Sequence, residues 1–404
     1  MKKIFLILLF FVFVAAAISG QEEPSLYVTD STYYKVYSEV SNNHASETAQ
    51  KMDAFFNLFN SYFHFAPDSL DTKLQVRIFS SKERFNTYLE KIIDARKDNF
   101  VYLQYSDTAK SELVGFNQAE NAYTTSLIRH GFIQFLKSFI QNPPEWMLKG
   151  FAIYFEKSAY DEDQNKAVFK ENLSWLNTLK TLIMEEELLS PRQFLNPRTD
   201  VLTNRSQAFH AQAWGFVTFL RNTNKKEYNR ILWDSISTLR PDGSKIENVV
   251  ALNDGVFSWI NDFLLINEFK NYVLSMKTFP DLVEEGIELY SLGNYEEAEE
   301  TLLEAILLDG THHLPYYYLG LIHYAREDFS LAEYYYQSAR MLGADPALIH
   351  YAMGVNAFAD GRYDNARDHL NQAKELNGAQ YEEKADSLLE RIEGMELKEG
   401  GQGM

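Results

Sequence analysis

The chain contains no cysteine, and it has few basic residues for its length of 404 residues. Without cysteine it has no disulfide, no thiolate chemistry, no sulfur-ligated metal and no lipid-bearing cysteine. Lysine and arginine number 38 against 57 aspartate and glutamate residues, and no basic run offers the positive surface that a phosphate backbone requires. Nucleic acid is therefore not expected as a partner, and the stability of the fold has to come from packing.

Long apolar runs are also lacking after the N-terminal segment. Lys2 and Lys3 precede an unbroken apolar run at 4–18, which small residues and then the segment 21–24 follow. This order is typical of a secretory signal, and the run is shorter than the roughly 20 apolar residues of a membrane span. We expect residues 1–20 to be a signal peptide, and the remainder to be periplasmic or extracellular and free of the membrane after cleavage. An uncleaved anchor is the alternative.

The stretch 21–276 has the pattern of an α+β domain. Short runs rich in β-branched and aromatic residues predict four strands, at 33–38, 73–79, 100–105 and 112–116. Helical patterns lie at 46–64 and 81–92, and then at 122–141, 144–157, 166–187, 206–222 and 254–276. The prediction is a small mixed sheet followed by helices.

A 34-residue period begins after Pro280. It is seen in four columns, which are Gly286, Gly320 and Gly354; Tyr295, Phe329 and Tyr363; Ala298, Ala332 and Ala366; and Ala305, Ala339 and Ala373. Small residues at one spacing indicate helix pairs that approach closely. The pattern resembles the tetratricopeptide repeat, which implies an all-α helical solenoid of three repeats over 280–379. We expect a capping helix at 380–395 and a flexible tail at 396–404.

One face of the first helix in each repeat carries a trio of apolar residues with i, i+4, i+7 spacing. The nine residues are Val283, Ile287, Tyr290, Tyr317, Leu321, Tyr324, Tyr351, Val355 and Phe358. In tetratricopeptide-like arrays these columns resemble the groove-lining positions, so we predict a groove for a protein or peptide partner. The columns contain no lysine or arginine, and an amphipathic ligand with basic flanks fits such a strip. The alternative is that the chain's own helices, at 254–276 or 381–392, cover it.

A second resemblance lies in residues 126–136 and 143–156. Their sequences, Ser-Leu-Ile-Arg-His-Gly-Phe-Ile-Gln-Phe-Leu and Pro-Pro-Glu-Trp-Met-Leu-Lys-Gly-Phe-Ala-Ile-Tyr-Phe-Glu, are similar to the active-site region of the peptidase MA-like gluzincins, exported zinc peptidases. With a later helix at 208–220, the resemblance implies a gluzincin-like domain. In that family two histidines of H-E-x-x-H and a glutamate of the next helix bind zinc, and the glutamate inside the motif is the general base.

The catalytic set that this resemblance implies is mostly missing. His130 matches the first zinc ligand, whereas Gly131 replaces the general base, Gln134 the second histidine and Lys149 the glutamate ligand. We therefore predict a pseudopeptidase with no catalytic residue, no metal and no cofactor. His130 is interpreted as a histidine hydrogen-bonded near the core, and Lys149 as the surface partner of Glu145 one helical turn earlier.

Together these patterns predict an exported, non-catalytic protein of the cell envelope that binds a protein or peptide through its repeats. Two alternatives stay open. One is a metallohydrolase with an altered metal site around His130, for which His210 is a second candidate ligand. The other is a structural scaffold whose repeats pack against the chain itself. Neither the partner nor the oligomeric state follows from the sequence.

Overall fold

The computed structural model describes residues 25–401 of the chain. The predicted signal peptide at 1–20 and the end of the predicted tail, at 402–404, lie outside the described residues. Within them, no single helix is long and apolar enough to cross a membrane. The segments Lys245–Trp259 and Asp262–Ser275 meet the criteria of length and composition only as a pair, and that pair is bent by 87°.

Five strands form the main sheet. They are β1 (Tyr27–Asp30), β2 (Tyr34–Ser38), β3 (Leu74–Phe79), β4 (Val101–Leu103) and β5 (Glu112–Phe116). Their order is β1-β2-β3-β5-β4, with β2, β3 and β5 parallel and each edge strand antiparallel to its neighbour. The mixed sheet confirms the predicted fold class of this part, and β2 to β5 coincide with the four predicted strands. The sequence does not predict β1, because its side chains are all at least partly exposed and show no apolar alternation.

Helices make up most of the remaining chain. In chain order they are α1 (Asn42–Phe63), α2 (Lys82–Ile93), α3 (Glu120–Phe139), α4 (Glu145–Phe155), α5 (Leu176–Met184), α6 (Pro191–Leu195), α7 (Thr199–Asn204), α8 (Ser206–Asn222), α9 (Lys226–Thr238), α10 (Lys245–Gly255), α11 (Asp262–Ser275), α12 (Phe279–Ser291), α13 (Tyr295–Leu308), α14 (His313–Ala325), α15 (Phe329–Met341), α16 (Pro346–Ala359), α17 (Tyr363–Leu376) and α18 (Gly378–Gly401). A hairpin of β6 (Ala159–Asp161) and β7 (Lys166–Val168) follows α4.

The helix predicted at 166–187 is wrong over its first half. This stretch begins with β7, and α5 starts only at Leu176. Asn172 provides the physical reason, because its Oδ1 accepts hydrogen bonds from the backbone N–H and the hydroxyl of Ser174, at 3.2 and 2.6 Å. An asparagine bonded in this way favours a turn over a helix.

The described chain forms two compact units. The first unit comprises the described residues up to Lys170 together with Trp233–Ser258, and the second comprises Glu171–Leu232 together with the residues from Trp259 onward. The second unit therefore includes helices that precede the repeats. Lys180 of α5 contributes to this grouping, because its Nζ donates to the carbonyl oxygen of Met276, 2.7 Å away and shortly before α12. The domain limits predicted from the sequence, 21–276 and 280–379, stay predictions.

Phenylalanine rings fill the core of the first unit between α1, α3 and α4. The ring of Phe59 lies 5.3 Å from that of Phe132 and 5.0 Å from that of Phe155. All three are completely buried, and burial of one such side chain stabilises a fold by about 1.5 to 3 kcal/mol. This packing holds in place the two helices that carry the positions compared above with a zinc site.

Helices α12 to α17 form three pairs that resemble tetratricopeptide repeats, and each second helix also contacts the first helix of the next pair. The glycine column marks the closest approach within a pair. A Cβ atom on Gly286 would lie 2.7 Å from Leu302, and one on Gly354 would lie 2.9 Å from Leu370. The alanines of both columns are completely buried. The predicted helical array is therefore confirmed.

Helix α18 continues the 34-residue period as a fourth first helix. Ala385, Leu389 and Ile392 occupy the three columns that begin at Val283, Ile287 and Tyr290. Ala385 and Ile392 are completely buried. In the glycine column this helix has Leu388, which is compatible with the packing because no second helix follows it within the described residues.

The last helix is longer than the sequence predicts. It extends to Gly401, so residues 396–401 of the predicted flexible tail are helical. The physical reason is that no proline or helix-ending turn interrupts the chain after Ile392, and the intervening residues are mostly good helix formers.

Candidate functional site

His130 lies on α3 and is partly buried. Its Nδ1 is 3.0 Å from the carbonyl oxygen of Ser126, and a carbonyl only accepts, so Nδ1 carries the proton. Burial lowers the pKa of His130 to about 4, and the positive charges of Arg129 and Lys149 act in the same direction. The imidazole is therefore neutral at pH 7, and its contacts are those of a hydrogen-bonded histidine at the edge of the core.

Gly131 and Gln134 both serve the packing of α3. A Cβ atom on Gly131 would lie 3.0 Å from the Cε of Met52, so the glycine lets α1 approach closely. The Nε2 of Gln134 donates to the backbone carbonyl of Gln75 on β3, at 2.8 Å. Its buried Oε1 has no hydrogen-bond partner among the described residues. The amide of Gln134 thus ties α3 to the sheet.

Lys149 is not the surface partner of Glu145 that the sequence predicts. Its side chain is partly buried, and the ion pair of Glu145 is formed with Lys245, 3.5 Å away. Burial lowers the pKa of Lys149, with Glu145 opposing and Arg129 reinforcing that effect. The positive charge of Lys149 contributes to lowering the pKa of His130, and a positive charge at this place disfavours a metal cation beside the histidine.

His210 belongs to the second unit, whereas His130 belongs to the first. The ring of His210 lies edge-on to Trp175, with 6.0 Å between the ring centroids. Within residues 25–401, no group of three or more histidine, aspartate or glutamate side chains is arranged to hold a metal ion. Each histidine is thus described by the neighbours within its own unit.

The nine predicted groove residues lie on α12, α14 and α16. Only Val283 is buried, and the other eight are partly exposed. Val283 packs in a cluster with Leu282 and Ala305, against which Ile287 and Leu314 also lie. The neighbours of this first trio thus come from the first two repeats themselves.

An open pocket of about 400 Å³ lies at the start of the repeats. It is lined by Phe279, Val283, Glu284, Ile287, His312 and Leu314. Two of the predicted groove residues, Val283 and Ile287, are therefore wall residues of this pocket. The lining is apolar apart from a carboxylate and an imidazole, which suits an apolar side chain of a ligand.

Five tyrosines lie near one another in the repeats, and we call them the aromatic strip. They are Tyr290, Tyr317, Tyr324, Tyr336 and Tyr351. Burial raises the pKa of Tyr317 to about 12, with Tyr318, Tyr381 and Tyr290 adding to the effect. Burial likewise raises the pKa of Tyr336, and Tyr317, Tyr290 and Tyr324 contribute. The geometry agrees, because the rings of Tyr317 and Tyr336 have centroids 6.1 Å apart, and Tyr317 and Tyr324 both pack against the cluster that contains Tyr336.

The hydroxyl groups of the aromatic strip make no hydrogen bond to other described residues. By contrast, the hydroxyl of Tyr316 donates to the carbonyl of Gly310, and that of Tyr123 is bonded to Thr48. Tyrosine hydroxyls in buried surroundings usually find a partner. The strip therefore presents several polar groups that water or a ligand can satisfy.

Tyr336 is the member of the strip that sequence reasoning misses. It lies on the second helix α15, whereas the predicted groove uses first helices only. Its ring packs on Gly320, and the corresponding positions in the other repeats are Leu302 and Leu370. The available signal was this second column, which follows the glycine column at a constant sequence spacing.

The C-terminal helix contacts the predicted groove in the third repeat. The ring of Tyr381 stacks on that of Tyr351 at 5.0 Å, and the guanidinium of Arg391 lies 4.9 Å from the ring centroid of Phe358. The expected coverage by residues 381–392 thus applies to these two groove residues. Tyr317 and Tyr324 instead pack partly against the cluster formed by α15 and α16.

No protein-family model matches the chain, and no curated protein matches it. Two crystal structures of SycD, the type III secretion translocator chaperone of Yersinia enterocolitica, are similar to the helical repeats. One, an alternative dimer, is 21% identical and covers 30% of this chain and 97% of that chain, with a TM-score of 0.28. The other, a complex with a peptide of the translocator YopD, is 21% identical and covers 30% and 98%, also with a TM-score of 0.28.

Proposed function

We propose that the repeats bind a peptide segment of another protein along the face formed by their first helices. The observation that carries this proposal is the aromatic strip, whose five hydroxyl groups have no hydrogen-bond partner among the described residues. Eight of the nine predicted groove residues are partly exposed, so a ligand can reach them. Partly exposed tyrosines on a rigid helical scaffold are typical of surfaces that bind peptides strongly.

The ligand follows from the chemistry of this face. Apolar side chains of a peptide fit the pocket at Val283 and Ile287, where their burial contributes about 25 cal/mol per Å². The phenol hydroxyls of Tyr317 and Tyr324 can donate to backbone carbonyls of the peptide. A segment with several apolar residues therefore satisfies both the apolar pocket and the polar tips of the strip.

For the first unit the proposal is a non-catalytic, gluzincin-like domain. Gln134 is bonded to the sheet and the Lys149 ammonium acts on His130, so these positions support packing rather than zinc chemistry. Export of the chain by residues 1–20 and a location in the cell envelope belong to the same proposal. N-terminal sequencing of the protein from its native cell tests export, and an intact Met1 terminus in the membrane fraction contradicts cleavage.

Peptide binding is tested with a defined probe. Dodecapeptides are selected from a random phage-displayed library on the full chain, synthesised, and titrated by fluorescence anisotropy. We expect the double substitution Tyr317→Ala and Tyr324→Ala to weaken binding at least tenfold, since truncation of central tyrosines typically costs about 1 to 2 kcal/mol or more each. The matched control is Tyr334→Ala, which removes an exposed tyrosine outside the strip.

Circular dichroism and thermal unfolding show whether each variant is folded. Unchanged binding by the folded double variant would refute the proposal. If the double variant unfolds, the pair Tyr317→Phe and Tyr324→Phe keeps the rings and removes only the hydroxyls. Loss of affinity in that variant then supports the hydroxyl contacts, and full affinity argues against them.

A further inference from the structure

Arg391 of α18 lies over the ring of Phe358, one of the predicted groove residues. The guanidinium of Arg391 lies 4.9 Å from the centre of the Phe358 ring. Phe358 belongs to the groove column that also contains Tyr290 and Tyr324. The chain thus covers one aromatic ring of this column with a cation of its own last helix.

The 34-residue period identifies the residues that correspond to Arg391 in the earlier repeats. The residues 34 positions before Phe358 and Arg391 are Tyr324 and Ala357. An alanine side chain ends at Cβ, and Ala357 is 2% exposed within the packed core. No cation from the described residues lies over the Tyr324 ring. The position that a guanidinium takes at Phe358 therefore holds no cation of the described residues at Tyr324, whose side chain is partly exposed.

Two repeats earlier the corresponding pair is Tyr290 and His323. His323 is buried and already engaged, because its ring stacks on Tyr335 at 5.2 Å and its Nε2 lies 3.3 Å from a carboxylate oxygen of Glu299. Tyr324 is thus the ring in this column with neither a cation nor a histidine at the equivalent position.

The overall acidity of the repeats favours a positive ligand group. The nine groove residues contain no lysine or arginine, and residues 281–404 hold 25 acidic and 8 basic residues. Glu284 lines the apolar pocket at the start of the repeats. Burial raises the pKa of Tyr381, which stacks on Tyr351, and the negative charge of Asp345 adds to that effect. Such a field attracts a cationic segment and raises its association rate at low salt.

From this juxtaposition we infer that the groove recognises a lysine or arginine side chain of the peptide, seated on the ring of Tyr324 among the neighbouring phenol groups. The inference rests on the proposed function and names its ligand class, a segment in which a cation stands between apolar residues. A desolvated cation over a tyrosine contributes about 0.5 to 2 kcal/mol. That range corresponds to a change in Kd of about twofold to thirtyfold.

The test uses the peptides selected on the full chain by phage display. We expect them to contain lysine or arginine above the library frequency, next to apolar residues. In a selected peptide, Arg→citrulline removes the charge with little change of shape, and we expect it to weaken binding to the wild-type chain within the range above. We expect the same peptide change not to alter the affinity for the variant Tyr324→Leu, which removes the ring but keeps an apolar side chain of moderate size. Tyr324→Phe keeps the ring and keeps the preference for arginine.

The outcomes separate this inference from the proposed function. If citrulline weakens binding equally for the wild type and Tyr324→Leu, or if selected peptides show no enrichment in basic residues, the cation site is refuted while peptide binding stands. If no selected peptide depends on Tyr317 and Tyr324 at all, the proposed function itself fails. A salt series provides a second readout, because the arginine peptide loses affinity with ionic strength more steeply than its citrulline counterpart.

Discussion

The ring of Tyr336 occupies the space that Gly320 leaves on the neighbouring helix. A Cβ atom at position 320 would lie 2.4 Å from Cε1 of Tyr336, which is closer than side chains tolerate. Leu302 packs on Gly286 and Leu370 packs on Gly354 in the same way, each at the same sequence spacing from its glycine. We call this contact of a large side chain with the glycine the lock. The glycine column of the repeat is thus a packing device, and it also positions one tyrosine of the aromatic strip.

Gly320→Ala is expected to destabilise the repeats by about 1 to 3 kcal/mol, because the new methyl group overpacks against a fully buried ring. The free energy of unfolding from urea titration measures the effect. Gly394→Ala is the matched control, since nothing lies within 4 Å of the position that its methyl group would take on α18 and alanine is the better helix former. An equal effect of the two substitutions would contradict the lock.

Glu327 lies at the turn between α14 and α15 with a φ of 62°, where the other two repeats have Gly293 and Gly361. A non-glycine residue in this left-handed region costs about 1 to 2 kcal/mol, of which the greater freedom of glycine in the unfolded chain offsets about 0.4 to 1 kcal/mol. Glu327→Gly is therefore expected to stabilise the protein by about 0.5 to 1 kcal/mol in urea titrations. Gly361→Ala has the opposite sign, and a destabilising Glu327→Gly would show that the side chain makes a contribution of its own.

How far the sequence predicts this fold depends on the range of the interactions. The 34-residue period is visible because the same local packing recurs three times, and β2 to β5 are visible because their side chains are mostly apolar. The pair of Glu145 with Lys245 is not predictable in the same way, since it joins residues 100 positions apart. Lys149 looks like the partner of Glu145 from its helical spacing, yet tertiary packing partly buries it instead.

In the predicted groove, too, residues at regular local spacing could be predicted from the sequence, whereas those that depend on tertiary packing could not. The first-helix columns are predicted because their spacing is regular, and the structure places eight of the nine residues at partly exposed positions. Tyr336 escapes a prediction made from one helix face, because it enters from the second helix through the gap at Gly320. The contact of Arg391 with Phe358 depends on how α18 packs, which the repeat pattern alone does not determine.

A pair of histidines makes the third repeat sensitive to acid. The Nδ1 atoms of His350 and His369 are 3.1 Å apart, so at most one of them carries a proton in this contact. Burial lowers the pKa of His350, with the positive charges of His369 and Arg340 adding to the effect. Burial also lowers the pKa of His369, while Glu333 and Asp368 oppose and Arg340 and Arg362 reinforce that effect.

Because both pKa values are lowered on folding, the unfolded chain binds more protons below the ordinary histidine pKa of 6.5. Stability contributed by the pair is thus fully present above pH 6.5 and is lost as the pH falls through the lowered values. We expect the free energy of unfolding to decrease as the pH falls below 6.5, and His369→Gln to reduce that slope. The pKa of His130 is also lowered, but His130 contributes equally to the pH dependence of the wild type and of His369→Gln. An unchanged slope in the variant would therefore contradict the role of the histidine pair.

The purified protein is expected to hold no stoichiometric zinc and to have no chelator-sensitive peptidase activity. The reason lies in what the side chains do: Gln134 is bonded to Gln75, and Lys149 brings a positive charge toward His130. A catalytic zinc normally needs three protein ligands and a nearby base, and a neutral imidazole alone holds the metal weakly. Elemental analysis of the full chain after zinc loading and desalting measures this directly. About one zinc per chain that disappears in His130→Ala would overturn the prediction and revive the altered metallohydrolase, whereas zinc that survives this substitution would have to be bound elsewhere.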